Sequence, residues 1–220
     1  MKLLILSMTT LFILGGCSSN KKYQDEKHEN LEKDYVVKDS NSKSRPGWIE
    51  DAEGWAAENN LDLKVFKYYS YETTPKVGRK IACNLAKAYV KTDIAGEIST
   101  KINQELTSEM AGNSNVDENS PELKDLKEMV STSLNETIDS TLIGAQIKKT
   151  YWEKRFYQKD LGAKKDYEAF TCAVFVQIDR NNLAKGLDLV QKKLETATEG
   201  KMPREEVRKI ILNTKQDLKI

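Results

Sequence analysis

The sequence predicts an α+β fold in which a small, mostly antiparallel sheet of about three strands is packed by long α-helices. Three segments have the alternation or the β-branched and aromatic content of strands. Four longer segments repeat apolar residues every three or four positions, as amphipathic helices do. Their order is strand, helix, helix, strand, strand, helix, helix, which favours helices packed on one face of a sheet.

The first predicted strand covers residues 61–71, which are rich in β-branched and aromatic residues. Thr74 and Pro75 have the cap and first-position chemistry of a helix start, and the helix is predicted to run to about Met110. Apolar residues lie on two sides of this helix, so we expect it to lie between the sheet and another helix. The main stripe is Val77, Ile81, Leu85, Ala88, Ala95, Ile98, Ile102 and Leu106, and the second set is Cys83, Val90 and Ile94.

A polar turn at residues 112–119 leads to a second helix that Ser120 is expected to cap. Strands are predicted at residues 144–156 and 167–178, joined as a hairpin around Gly162. Asp179 or Asn181 is expected to cap a helix over residues 183–196, and Pro203 precedes a last helix over residues 204–218. The inward stripes of the last two helices are Leu187, Val190 and Leu194, then Val207, Ile210, Ile211 and Leu218.

Charge and length restrict the class of protein. Lys and Arg total 35 and Asp and Glu total 34, so the formal net charge is +1. A chain without cationic excess is not expected to bind nucleic acid through counterion release. The 220 residues fit one domain with an appendage.

The N-terminus has the pattern of an export signal with a lipid-attachment site. After a cationic start, the apolar run of residues 3–14 is shorter than the ~20 residues that span a bilayer and fits a secretory signal. The run ends in Leu14-Gly15-Gly16-Cys17, which resembles the lipobox of bacterial lipoproteins. We therefore expect residues 1–16 to be a lipoprotein signal peptide and Cys17 to be the lipid-attachment residue. The alternative is an ordinary cleaved signal with an incidental Cys17.

The residues after Cys17 predict a tether and a destination. Ser18 follows the cysteine where the inner-membrane retention signal of enteric bacteria has Asp, which favours the outer membrane. Residues 18–44 contain five hydrophobic residues among 27, so residues 17–44 are interpreted as an acylated cysteine with a flexible polar tether. Residues 45–220 are predicted to form one domain. His28, the only histidine, lies in the tether and is not expected to bind a metal.

The sequence shows no set of residues that indicates catalysis. The domain has no histidine to pair with a serine or cysteine, and G-x-S-x-G, G-x-G-x-x-G and phosphate-loop motifs are absent. We expect no enzyme activity, no cofactor and no metal. Cys83 and Cys172 are either a disulfide pair or two buried free thiols, and the sequence leaves both readings open.

Aromatic and basic residues cluster around the predicted hairpin. Tyr151, Trp152, Phe156 and Tyr157 are interpreted as core packing rather than as a ligand box, and strand parity leads us to expect that Trp152, Phe156 and Phe170 share the core. The surrounding basic residues fit either a solvated strand face or a site for an acidic partner or polymer. They are Lys148, Lys149, Lys154, Arg155, Lys159, Lys164 and Lys165.

Several of these segments, taken in order over residues 45–196, resemble the bacterial lipoprotein family named for the twenty-kilodalton Helicobacter surface lipoprotein. The matching features are Pro46-Gly47-Trp48, Ala82 and Ala86, Ile94, Ile98 and Ile102, Gly144, Tyr151-Trp152, and the strand and helix of residues 170–178 and 183–194. The family includes surface or periplasm-facing outer-membrane lipoproteins, and flagellar assembly lipoproteins that build rings or disks. The resemblance implies a small α+β domain that oligomerises through sheet edges or helix faces, and it brings no catalytic residues.

These observations lead to one expected function and two alternatives. The chain is expected to be an outer-membrane-anchored bacterial lipoprotein, held by acyl chains on Cys17, with a structural or interaction role in an envelope or flagellar assembly. Its partners would be envelope proteins or further copies of itself. The alternatives are a tethered regulator of a peptidoglycan synthase and a ligand-binding lipoprotein, which would need a concave apolar pocket.

Overall fold

The computed structural model describes residues 33–113 and 120–220, and its fold class is α+β as predicted. The predicted signal peptide, Cys17 and His28 lie outside the described residues. The strands are Tyr35–Ser40 (β1), Phe66–Glu72 (β2), Gln146–Tyr157 (β3) and Tyr167–Asp179 (β4). The helices are Ala52–Glu58 (α1), Arg79–Asn113 (α2), Pro121–Thr141 (α3), Arg180–Ala197 (α4) and Arg204–Asp217 (α5).

The sheet has four strands in the order β1-β3-β4-β2, and every neighbouring pair is antiparallel. The prediction of about three strands is wrong because β1 lies inside the segment interpreted as a flexible tether. Its Val36 pairs with Phe156 of β3, so that segment is part of the sheet from Tyr35 onward. An edge strand keeps charged residues and needs few apolar ones, so the polar composition of residues 18–44 conceals it.

The hairpin between β3 and β4 is confirmed. The two strands pair along almost their whole length, with Trp152 opposite Cys172. A short 3₁₀ turn at Lys159–Leu161 links them and ends at Gly162, whose φ of 103° lies in the left-handed region. Glycine adopts this conformation without the steric cost that a Cβ would add.

One face of the sheet is covered by the four long helices. The core between them holds the apolar residues of β4, including Val174 and Val176, together with one stripe of α2. That stripe is Ala82, Ala86, Val90, Ile94, Ile98, Ile102 and Leu106. The predicted main stripe is wrong for its first half, because Val77, Ile81 and Ala88 are exposed. Apolar residues on both sides of α2 obscured which side is buried.

The start of α2 also differs from the prediction. The helix begins at Arg79 rather than at Thr74, because the intervening chain continues to pair with β4. The Thr73 amide donates to the Cys172 carbonyl at 3.0 Å, and Lys76 and Phe170 exchange two backbone hydrogen bonds of 2.8 Å. Similarly, β2 begins only at Phe66, because the Asp62 carboxylate accepts the amides of Lys64 and Val65 and turns the chain there.

The opposite face of the sheet is covered by residues that the sequence did not predict as a layer. A 3₁₀ turn at Gly47–Ile49 and α1 pack there on a second core centred on Phe175. The rings of Trp48, Trp55 and Tyr68 lie 5.4–5.6 Å from that of Phe175. The long helices therefore lie on one face, as expected, but the opposite face also has a cover that was not predicted, and β4 is buried on both sides.

Local capping follows the sequence closely. The Asp179 carboxylate accepts the Asn182 amide at 3.0 Å and caps α4, which decides between the two predicted caps. The Ser120 hydroxyl accepts the Leu123 amide at 3.3 Å at the start of α3. The last helix, α5, starts directly after Pro203 as predicted.

Cys83 and Cys172 form a disulfide, which settles the choice left open by the sequence. Their Cα atoms lie 4.9 Å apart, within the range that a disulfide spans. The bond joins α2 to the central strand β4 across 89 residues of chain.

Candidate interaction surface

The alternation of β3 divides the predicted aromatic cluster between the two faces of the sheet. Tyr151 and Tyr157 are buried on the face covered by α1, whereas Trp152 and Phe156 lie partly buried on the face covered by the four long helices. The predicted basic residues divide in the same way, because Lys154 shares the face of Trp152 and Arg155 is buried on the other. The cluster is therefore two separate sites.

Trp152, Phe156 and Phe170 lie on one side of the sheet, but the expectation that they share the core is wrong for Phe156. The rings of Trp152 and Phe170 lie 6.4 Å apart, and both contact the main core. Phe156 belongs to neither core and remains half-exposed. The long helices cover the end of this face near β1 least. Helix α2 packs on β4, β2 and β3, whereas β1 packs mainly against β3.

Cations lie on the half-exposed rings. The Arg79 guanidinium carbon is 4.7 Å from the centre of the Trp152 ring, and the Lys38 Nζ is 5.3 Å from that of Phe156. Both distances are within the range of a cation–π interaction. We call this region the open sheet face, and it consists of Val36, Lys38, Asp39, Lys76, Arg79, Trp152, Lys154, Phe156, Glu168 and Phe170.

Four of these residues are cations and two are carboxylates. Lys154 Nζ lies 2.7 Å from a Glu168 carboxylate oxygen, and Asp39 is opposite Lys154 in the β1–β3 register. Close to Lys76 and Arg79 in the chain, the apolar side chains of Val77 and Ile81 have 88% and 49% of their surface exposed. The open sheet face thus combines excess positive charge with exposed apolar groups.

The opposite face holds a buried network of ion pairs. Glu153 is fully buried, and it accepts hydrogen bonds from the Arg155 guanidinium and, at 2.8 Å, from the Tyr151 hydroxyl. Arg45 donates two hydrogen bonds of 3.0 and 2.8 Å to Glu72. Arg155 reaches the same Glu72 at 2.7 Å, which closes the network. Arg45 therefore joins the segment before α1 to β2 and β3.

Burial and the paired charges of this network shift the pKa values of two groups. Burial alone would raise the pKa of Glu72, but the hydrogen bond from Arg45 and the charges of Arg155 and Arg45 hold it below its usual value of 4.5. Burial raises the pKa of Tyr35, whose ring lies against Arg155, to about 12. The buried charges of the network are thus paired, so that removal of one partner would leave an uncompensated charge in the interior.

This buried network was not predicted, because binary patterning assigns charged residues to the surface. One signal was present: Tyr151, Glu153, Arg155 and Tyr157 alternate along one strand, so that they must share a face. A Glu and an Arg two residues apart, with a tyrosine on either side, indicate that this face of the sheet is covered by other residues rather than exposed to water.

Three open hollows lie elsewhere on the described surface. One of about 720 Å³ separates α3 from α4 near Met129 and Ser133, and one of about 620 Å³ lies between β2 and α2 near Tyr71 and Asp93. A third, of about 350 Å³, lies beside Trp55 and includes Asn41, Trp48, Lys149 and Tyr151. Asn41 is already engaged there, because its side chain bonds to the backbone of Thr150 and Trp152.

Within residues 33–113 and 120–220, no group of three or more His, Cys, Asp or Glu side chains is placed to hold a metal ion. None of the helices in the described ranges is long and apolar enough to cross a bilayer. No protein-family model, curated protein or solved structure matches this chain. A proposal of function therefore depends on the sequence motifs and on the surfaces described above.

Proposed function

We propose that the protein is a bacterial lipoprotein, anchored to the outer membrane by acyl chains on Cys17, with a structural or interaction role in an envelope or flagellar assembly. The observation that carries this proposal is Leu14-Gly15-Gly16-Cys17 at the end of the apolar run. Small residues before the cysteine fit a narrow peptidase site, and several acyl chains on one residue give stable membrane attachment.

The disulfide supports the part of this proposal that concerns export. Disulfides persist in the periplasm and at cell surfaces and are rare in the reducing cytoplasm. The Cys83–Cys172 bond joins two elements of the core, and Cys172 is fully buried. A domain held together in this way is suited to an oxidising compartment.

The role in assembly is supported by what the domain presents to solvent. Both sheet edges, β1 and β2, have a described strand neighbour on one side only, and edges of this kind are sites for strand pairing with another chain. A domain that offers two such edges is suited to contact with envelope proteins or with further copies of itself.

The anchor is tested by Cys17→Ala. We expect the wild-type protein to remain with the membrane fraction after a carbonate wash and its N-terminal peptide to carry acyl chains by mass spectrometry. The Cys17→Ala variant should lose the acyl chains and leave the outer membrane, whereas Ser18→Ala, a matched control, should keep both properties. An unmodified Cys17 in the wild-type protein would exclude the proposal.

The assembly role is tested by cross-linking in whole cells, followed by mass spectrometry of proteins that co-purify in detergent. Recovery of basal-body or envelope-assembly proteins, or of cross-linked homo-oligomers, is the expected result. Recovery of a peptidoglycan synthase as the main partner would replace the assembly role with a regulatory one.

A further inference from the structure

We propose that the open sheet face docks on the anionic phospholipid surface of the membrane that holds the acyl anchor. This inference rests on the proposed function for the presence of the membrane. It goes further because it assigns an orientation to the domain and a lipid class to a surface.

Charge is the first argument. Lys38, Lys76, Arg79 and Lys154 oppose Asp39 and Glu168, so that the face has two more positive than negative groups in a chain whose net charge is only +1. Each basic residue near an anionic bilayer strengthens binding about fivefold, which corresponds to about 1 kcal/mol. The cations of this face therefore provide a sizeable attraction to phosphodiester headgroups.

The second argument is the apolar content of the same surface. Trp152 and Phe156 are partly exposed next to Arg79 and Lys38, and Val77 and Ile81, close to Lys76 and Arg79 in the chain, are exposed. Aromatic rings with adjacent cations suit the headgroup region, where the ring enters the interface and the cation remains at the phosphates. An acidic protein surface would pair with the cations and would leave Val77 and Ile81 in water.

The third argument is the position of the anchor. Cys17 precedes Tyr35, the first residue of β1, by eighteen positions, so the two are separated by at most about 65 Å of extended chain. Lys38 and Val36 of the face lie on β1 itself. The strand nearest to the acylated residue along the chain therefore carries part of the docking surface.

The test measures tryptophan fluorescence, because only one of the three tryptophans lies on the open sheet face. Trp48 and Trp55 are buried on the opposite side of the sheet, and Trp152 alone of the three lies on the open sheet face. All proteins are full-length and carry Cys17→Ala, so that none is acylated and the apolar N-terminus contributes equally to each. They are mixed with phosphatidylglycerol–phosphatidylcholine vesicles, or with pure phosphatidylcholine vesicles, that have brominated acyl chains.

We expect quenching of tryptophan fluorescence in the anionic vesicles, its loss at high salt and its absence in Trp152→Phe. The double variant Lys38→Glu/Arg79→Glu should lower the ratio of docked to undocked protein at least about 25-fold, from two cations at about fivefold each. The control Lys124→Glu/Lys185→Glu changes the net charge equally on exposed residues of α3 and α4, and it should dock normally.

The proposal is overturned by equal docking of the two double variants, by equal quenching in neutral vesicles, or by quenching that persists in Trp152→Phe. Stronger binding to polyglutamate than to anionic vesicles would assign the face to an acidic protein instead. Because no protein in this assay is acylated, its failure is distinct from failure of the anchor. Failure of the anchor proposal would appear only as an unmodified Cys17 in cells.

Discussion

Reduction of the Cys83–Cys172 disulfide should lower the free energy of unfolding by about 4–5 kcal/mol. The bond closes a loop of 89 residues. The chain-entropy relation for a loop of that length gives about 15 cal/mol/K, or about 4.6 kcal/mol at 25 °C. At roughly 2–4 °C per kcal/mol for a domain of this size, the melting temperature should fall by about 9–18 °C.

The assay is urea unfolding of the wild-type protein with and without a phosphine reductant, with thiol titration to verify both states. Reduction removes no side chain, so the comparison isolates the cross-link. The dependence of unfolding free energy on urea should also steepen, because a reduced unfolded chain exposes more surface. The double variant Cys83→Ala/Cys172→Ala is the control and should not respond to the reductant. A loss below about 1 kcal/mol in the wild-type protein would refute the argument from loop entropy.

Three further predictions concern the buried network and one turn. Glu153→Ala should cost about 3–5 kcal/mol in urea unfolding, because it leaves Arg45 and Arg155 without a fully buried counter-charge. Glu72→Gln should be less stable than the wild type at pH 7. This difference should shrink as the pH falls below about 4.5, because a carboxyl with a lowered pKa stabilises the fold only while ionised. Gly144→Ala should cost about 1–2 kcal/mol in thermal unfolding, because the φ of Gly144 is 79° and a Cβ would lie 3.0 Å from the side-chain Nδ2 of Asn182.

Each of these three predictions would be contradicted by a specific result. A Glu153→Ala variant as stable as Glu128→Ala, a change on an exposed part of α3, would show that the network contributes little. A constant difference between Glu72→Gln and the wild type from pH 7 to pH 3 would contradict the lowered pKa. Gly144→Ala at wild-type stability, with Gly78→Ala as the control outside the left-handed region, would remove the conformational argument.

The parts of the fold that were predictable are those set by local chemistry. The apolar, β-branched and aromatic run of β4, the hairpin turn at Gly162 and the caps at Ser120 and Asp179 depend on residues close in the chain. For such elements the sequence pattern and the tertiary structure agree.

The parts that were missed depend on distant partners. The strand β1 is stable only because β3 pairs with it, and α1 packs on Phe175 from more than a hundred residues away. The buried side of α2 depends on the disulfide and on β4 rather than on its own apolar content. The open sheet face was half predictable, because parity placed Trp152, Phe156 and Phe170 together. Nothing local indicated that Lys38 and Arg79 would lie over two of these rings.

The strand order has a consequence for the export proposed above. The first two strands of the chain, β1 and β2, lie at opposite edges, and each pairs only with a strand of the later hairpin. A polypeptide threaded through a membrane from its N-terminus would therefore have no sheet to form until residues 146–179 had emerged. Cys83 would likewise meet Cys172 only at that stage. Such long-range pairing slows folding, and a slowly folding chain suits the proposed export because translocation needs an unfolded polypeptide.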